Sequence, residues 1–310
     1  MAKNIDFNGR VAIITGAGGG LGRAHALLLA ERGAKVVVND LGGDVHGAGG
    51  DASPAQKVVD EITSKGGEAI VDGSDITDAA AVEKLVANVK EKWGRIDILI
   101  NNAGILRDKS FAKMELDDVR KVLEVHLMGT VNCTKAVWPV MVEAGYGRIL
   151  MTTSASGIYG NFGQANYAAA KSGIVGFMNT LAIEGEKKGI HVNSLAPSAA
   201  TRMTEDLLPE NVLELIQPEA ISPGALFLVS EAAPTKKILG AGAGVFAVSQ
   251  MVEAPGVFIP EDARTPEVIA ERWAEIEDVS KDAAPLGSAF DQTAKYVKLA
   301  AKELGIELPS

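Results

Sequence analysis

The chain has 310 residues, of which 47% are hydrophobic and 23% charged, with a net charge of −10. A sequence pI near 5.0 excludes a general electrostatic attraction to nucleic acid or an anionic membrane. No apolar run reaches the roughly 18 residues of a membrane helix, the N-terminal "MAKNIDFNGR" has no apolar signal core, and the single Cys133 excludes an intramolecular disulfide and points to a reducing interior.

In chain order, "VAIIT" (11–15) reads as a buried strand, with four of its five residues apolar. A glycine-rich turn, "TGAGGGLG" (15–22), leads into an apolar-periodic helix that stops at Gly33. "KVVVND" (35–40) is the second strand, and residues 54–66 form a helix that starts at Pro and ends at Gly. "EAIVDGSD", a helix over 78–93 and "IDILINNAG" (96–104) supply the next strand, helix and strand. A long helix is expected over about 115–144, a strand over 147–154, a helix over 164–188 and a strand over 190–198. "GVFAVSQ" (244–250) completes about seven strands. Alternating strands and helices of this kind make a doubly wound parallel sheet of the Rossmann type, an α/β fold with helices on both faces. Two segments fall outside that plan. One is the glycine-rich "LGGDVHGAGGDAS" (41–53), read as a loop. The other is 251–310, a helical extension of the 1–250 domain that packs on the same domain or on a partner subunit, with helices expected in "TPEVIAERWAEIEDVSK" and over 289–304.

The turn at 15–22 sits between a strand and a helix, where free N–H groups and the helix dipole suit a pyrophosphate. Asp40 follows at the end of strand two, 24 positions after Gly16. A carboxylate there can accept hydrogen bonds from the adenosine ribose and repel an extra phosphate. A turn-forming aspartate before Leu41-Gly42 is the plainer reading. No Arg or Lys lies between Asp40 and Lys57, so NAD is favoured over NADP.

Tyr167 and Lys171 stand four residues apart and so share a helix face. A nearby ammonium stabilises phenolate, so Lys171 is expected to lower the Tyr167 pKa. Ser154, at the end of strand five, can hold a substrate oxygen while Tyr167 moves the proton. The small residues around them allow close approach of helix, cofactor and substrate. A surface Tyr–Lys pair is the bland alternative, and the order of the other motifs argues against it.

"TGAGGGLG", Asp75 in "SDIT", "NNAG" at 101–104, Ser154 and Tyr167-Ala-Ala-Ala-Lys171 together resemble the short-chain dehydrogenase/reductase family over about residues 8–250. The resemblance implies hydride transfer between a nicotinamide cofactor and an alcohol or ketone carbon. It implies Gly16, Gly20, Leu21 and Gly22 along the cofactor turn, with Asp75 and Ile76 near the adenine. Asn102, Ala103 and Gly104 would line the cofactor cleft, and Lys171, beside Tyr167, would bond the nicotinamide ribose. Pro197 and Thr201 would lie near the nicotinamide amide, although the family's usual Pro-Gly is Pro197-Ser198 here. Where most members have a relay Asn, this chain has His126 in "VHLMGT", which could serve the relay by its side chain or through a water, or be satisfied locally. Over "VVVNDLGGD", "NNAGILRDKSF" and "SASGIYGNFGQANY" the chain is similar to the dehydrogenase part of the type 2 peroxisomal multifunctional enzymes. That likeness implies NAD-dependent oxidation of (3R)-hydroxyacyl-CoA thioesters, with 17β-hydroxysteroids as further substrates. An NADPH-dependent 3-oxoacyl-carrier-protein reductase and a non-catalytic NAD-binding sensor are the alternatives. No metal site is expected, since His25, His46 and His191 lack ligand spacing. The resemblance makes the segment 201–224 a substrate lid, although an ordinary packed helix reads the same way, and Arg107, Lys109 and Lys113 either meet coenzyme A phosphates or lie in a solvated loop. The resemblance makes the helices at 115–144 and 164–188 a dimerisation surface, so a homodimer or homotetramer is expected. With no SKL-type C-terminus, a free-standing, bacterial, cytoplasmic enzyme is expected, acting without nucleic acid or membrane partners.

Overall fold

A computed structural model describes residues 4–44, 46–47, 49–51, 53–200, 209–280 and 282–308. The chain forms two compact units, Met1–Val248 and Ser249–Ser310.

The first unit is built on β1 (Val11–Thr15), β2 (Lys35–Asn39), β3 (Glu68–Asp72), β4 (Ile98–Asn101), β5 (Gly147–Thr152), β6 (Ile190–Ser198), β7 (Ile238–Gly242) and β8 (Val245–Ser249). Their order in the sheet is β3-β2-β1-β4-β5-β6-β7-β8, and β1 to β7 pair in parallel. Successive residues of β1 face opposite sides, as a pleated strand requires. Ala12 and Ile14 join a core with Leu29, Val58, Ile62 and Leu226. Val11 and Ile13 join the other, with Val82, Leu85, Val137, Met141, Ile174 and Met178. The first core draws on α1 (Gly20–Glu31), α2 (Ser53–Ser64) and, late in the chain, α9 (Ser222–Leu228), while the second draws on α3 (Ala79–Trp93), α5 (Gly129–Ala144) and α7 (Ala165–Gly185). Burial on both faces is why β1, β2 and β4 read as largely apolar runs. The chain lays β2 and β3 to one side of β1, then crosses back to place β4 on its other side. That reversal opens a crevice at the carboxyl ends of β1 and β4, where such sheets bind ligands.

The sheet has eight strands among the described residues, one more than expected. "ILGAG" forms β7 although its glycines hide any strand pattern, and Ala243-Gly244, with φ of 51° and 74°, turns the chain into β8. Two positive φ values in a two-residue link are those of a hairpin turn, so β8 runs antiparallel to β7. The expected helix over 115–144 divides. It comprises α4 (Leu116–Leu123), a single π-helical stretch at Glu124–Met128, and α5. Short helices also form at α6 (Ala155–Tyr159) and α8 (Glu210–Leu215). In the second unit, the first expected helix breaks into α10 (Pro266–Glu271) and α11 (Trp273–Ile276), and α12 (Ala289–Leu304) starts at the Ser288 cap.

His25 of α1 is fully buried, and its Nδ1 lies 2.8 Å from Ser222 Oγ. Its Nε2 has no partner among the described residues. Burial pushes its pKa down from 6.5 to about 4. Between those values the unfolded chain takes up a proton that the folded chain refuses, so stability falls as pH drops from 6.5 to 4. The difference amounts to about 3 kcal/mol. Urea unfolding at pH 7.5 and 4.5 should show this loss, and a His25→Gln chain should show a shallower pH dependence.

Candidate active site

The glycine turn between β1 and α1 is held by packing as well as by backbone shape. Gly16 has φ of 63°, and a Cβ there would lie 2.7 Å from Ala103 Cα. A Cβ on Gly22 would lie 2.2 Å from the Gly16 carbonyl oxygen, so Gly22 lets α1 close onto the turn. Asn102 Nδ2 donates to the carbonyl oxygens of Thr15 and Gly16 at 3.1 and 3.0 Å. The Thr15 hydroxyl accepts from the N–H groups of Asn102 and Ala103 at 3.0 and 3.1 Å. The "NNAG" segment is thereby pinned to the turn.

Asp40 follows β2 and bonds the same turn. Its Oδ2 accepts from Gly18 N–H at 2.8 Å and its Oδ1 from Gly42 N–H at 2.7 Å. Each oxygen keeps a further lone pair for a ligand diol. Asp75 Oδ1 accepts from both the N–H and the hydroxyl of Thr77, each at 2.8 Å, and so shapes the turn before α3. The loop after Asp40 returns beside this cleft. His46 Nδ1 lies 3.0 Å from Leu106 O, and the Arg107 guanidinium donates to His46 O at 3.0 and 3.2 Å. Arg107 also pairs with Asp118 at 2.9 Å, and Lys109 reaches the same carboxylate at 3.4 Å. Of the three cations that either meet phosphates or lie in a solvated loop, Arg107 and Lys109 are thus paired with Asp118.

Ser154 lies just past β5 and caps α6, its Oγ accepting from Ser156 N–H at 3.2 Å. Tyr167 and Lys171 are one turn apart on α7, with Lys171 Nζ 5.5 Å from the Tyr167 ring centre. The small residues have a visible reason: a Cβ on Gly157 would lie 2.6 Å from Lys171 Cβ, so α6 packs directly on α7 at this point. The expected electrostatics do not hold. Burial pushes the Tyr167 phenol up to about 12, with Asp108 raising it further and a hydrogen bond to Ser154 opposing. Burial also brings Lys171 down to about 7, and its Nζ donates to Thr152 O at 2.6 Å. Desolvation of both groups outweighs the charge–charge attraction that i, i+4 spacing suggested.

His126 sits in the π-helical stretch and is buried, with its ring edge-on to Tyr167 at 5.1 Å. Its Nε2 lies 2.8 Å from Ile105 O and 3.0 Å from Ile105 N, while Nδ1 has no partner among the described residues. Burial, then the Lys171 charge, hold its pKa well below 6.5, so the ring is neutral. Gly104 makes room for it, since a Cβ there would lie 2.1 Å from His126 Cε1.

One cavity of about 510 Å³ joins these parts. It is lined by Gly16, Gly20, Leu21, Asp40, Asp75, Ile76, Asn102, Ala103 and Gly104 at one end and by His126, Ser154, Tyr167, Lys171 and Pro197 at the other. Gly22 lies in the packing behind it, and Thr201 lies outside the described residues, as do 201–208 of the expected lid. Ile216, beyond that segment, lines the cavity. The glycine turn and the free lone pairs of Asp40 fit a dinucleotide. Ser156 and Gln164 also line the cavity and were not foreseen. The only sequence signal for Gln164 was its place three residues before Tyr167.

The sequence profile for short chain dehydrogenases matches residues 10–211. The chain is 48% identical to the peroxisomal multifunctional enzyme type 2 of Mus musculus over 288 residues, 92% of this chain but 39% of that one. It resembles the full-length structure of peroxisomal multifunctional enzyme type 2 from Drosophila melanogaster with a TM-score of 0.80 and 37% identity, covering 96% of this chain and 50% of the other. It resembles a 7α-hydroxysteroid dehydrogenase complexed with NADH and 7-oxo glycochenodeoxycholic acid with a TM-score of 0.71 and 32% identity, covering 79% of this chain and 98% of that one. The chain thus spans half or less of the two multifunctional relatives.

Proposed function

The chain belongs to the short-chain dehydrogenase family, and on that premise we propose that it oxidises (3R)-hydroxyacyl-CoA thioesters to 3-ketoacyl-CoA with NAD. The observation that carries this reading is the single cavity in which Ser154, Tyr167 and Lys171 meet the glycine turn and Asp40. Ser154 Oγ holds the substrate hydroxyl, and Tyr167 takes its proton as the carbonyl forms. A nicotinamide cofactor held in this cavity would supply the acceptor for the hydride that leaves the same carbon. Lys171, tied to Thr152 O, fixes the floor of the site behind Tyr167. His126, with one nitrogen held at Ile105, keeps Nδ1 for a water that relays the proton.

Asp40 supports NAD over NADP, because a carboxylate at the ribose repels a second phosphate. Lys121 and Lys171 are the only cationic side chains among the described lining residues, and neither stands beside Asp40 in sequence. Likeness to two peroxisomal multifunctional enzymes of type 2 supports the resemblance from which the acyl-CoA substrate is read, and the 7α-hydroxysteroid dehydrogenase supports steroids as the second reading. Likeness to the fly enzyme over 96% of this chain supports treating 251–310 as an extension of the dehydrogenase. Exposed Val142 on α5 and Ile183 on α7 support a homo-oligomer joined through these helices. No helix among the described residues is long and apolar enough to cross a membrane, and the buried free Cys133 supports a cytoplasmic, reducing location.

The deciding assay follows NADH formation by the purified protein with NAD and a medium-chain (3R)-hydroxyacyl-CoA. The (3S) isomer and a 17β-hydroxysteroid run in parallel. Turnover of the (3R) thioester well above the other two is expected. Activity on the steroid alone would move the substrate assignment, and inactivity on all three would remove it.

A further inference from the structure

Gln164 stands at the start of α7, one turn before Tyr167, and lines the cavity with Ser154, Ser156 and Tyr167. Its side chain is held at both ends. Nε2 donates to Asp108 Oδ2 at 2.6 Å. Oε1 accepts from Ser156 Oγ at 2.7 Å and from Asn161 Nδ2 at 3.0 Å. The orientation of the amide is decided by its partners. An ionised carboxylate only accepts, so the nitrogen faces Asp108 and the oxygen faces the two donors.

Both lone pairs of Oε1 are used, and one of the two Nε2 hydrogens is committed. One N–H remains, on a lining residue whose backbone is also fixed, since Ala168 N–H donates to Gln164 O at 2.7 Å. The same network reaches the reacting end, because Ser156 N–H donates to Ser154 Oγ. A rigid spare donor beside a site that holds an alcohol oxygen suits a substrate with a second oxygen acceptor a short distance from the first. A 3-hydroxyacyl thioester has one, its C1 carbonyl, two carbons from the reacting carbon. A simple secondary alcohol has none.

We propose that the free Nε2–H of Gln164 donates to the C1 carbonyl of a 3-hydroxyacyl substrate, making Gln164 the residue that selects β-hydroxycarbonyl compounds over other secondary alcohols. The inference rests on the 3-hydroxyacyl reading above and specifies its recognition. Asp108 and Ser156 act through Gln164 by holding its amide. The hydrogen bond that the C1 carbonyl accepts, and that a carbonyl-free alcohol cannot make, is the source of the discrimination.

The test measures kcat/KM for the wild-type chain and Gln164→Leu on three substrates: a (3R)-hydroxyacyl-CoA, ethyl (R)-3-hydroxyoctanoate, and 2-octanol, which lacks the carbonyl. The wild-type chain should prefer the ester to 2-octanol by about tenfold or more, and the variant should lose most of that preference. Wild-type rates on the ester and on 2-octanol within about twofold of each other would overturn the proposal without recourse to any variant. So would equal losses by Gln164→Leu on both. Should the wild-type chain refuse the CoA thioester while the ester preference still depends on Gln164, the CoA assignment falls and the role of Gln164 stands. Binding of ethyl 3-oxooctanoate, read by calorimetry in the presence of NADH, should weaken in the variant by a similar factor.

Discussion

A Tyr167→Phe chain is expected to bind cofactor normally and to lose roughly 10²–10⁴-fold in kcat, the range in which general acid–base groups contribute. The ring stays in place, edge-on to His126, so packing is retained and only the hydroxyl is lost. Ser154 and Lys171 cannot replace it: the Ser154 hydroxyl is a far weaker acid–base group near neutrality, and Lys171 Nζ is committed to Thr152 O. The pH dependence gives a second readout with a definite sign. Oxidation needs Tyr167 as phenolate, and its pKa is held up at about 12. Below that value the phenolate fraction rises tenfold per pH unit, so alcohol oxidation should speed up steadily from pH 6 to 9. Ketone reduction uses the phenol as donor and should lack this rise. Full activity of Tyr167→Phe, or a flat wild-type oxidation profile, would remove Tyr167 from the proton-transfer step.

Asp40 governs the second large effect. In Asp40→Ala the N–H groups of Gly18 and Gly42 lose their carboxylate acceptor, and the ribose diol loses its own. Hydrogen bonds to a charged group are worth about 1.5–3 kcal/mol each, so NAD affinity should fall by roughly 10²-fold. NADP should gain relative to NAD, because the like-charge repulsion goes with the carboxylate. Asp40→Asn divides the two effects. It keeps an acceptor for one glycine N–H and removes the charge, so the NADP penalty should shrink more than NAD binding does. Fluorescence titration with both dinucleotides reads the difference. An unchanged NAD to NADP ratio in both variants would show that selectivity resides elsewhere.

The sheet was legible in the sequence wherever a strand is buried on both faces. "VAIIT", "KVVVN" and "IHVNSLAPS" carry that pattern, and β6 has the expected bounds of Ile190 and Ser198. The strand "ILGAG" was not legible, because a glycine-rich strand leaves no periodic trace. Nor was the π-helical stretch at Glu124–Met128, which keeps side chains that any helix accepts. Within the site, the Tyr167–Lys171 pair could be read because helical spacing is a local property. Its electrostatics could not, because burial depends on the whole surrounding fold, and burial decided both pKa values. Gln164 was hidden for a related reason. Its meaning depends on Asp108, 56 residues earlier in the chain.

The π-helical stretch between α4 and α5 has a consequence for register. Such a stretch is an α-helix carrying one inserted residue. Each helical residue turns the face by about 100°. The insertion is absorbed locally, so α4 and α5 keep the facing they would have in an uninterrupted helix one residue shorter. Packing alone therefore does not require the additional residue. What it changes is the wall of the cavity, where His126 stands in the widened turn. Sequences of this fold that lack the insertion would align across this helix only with a one-residue gap, and that gap would fall at the cavity wall while the flanking helices stayed in phase.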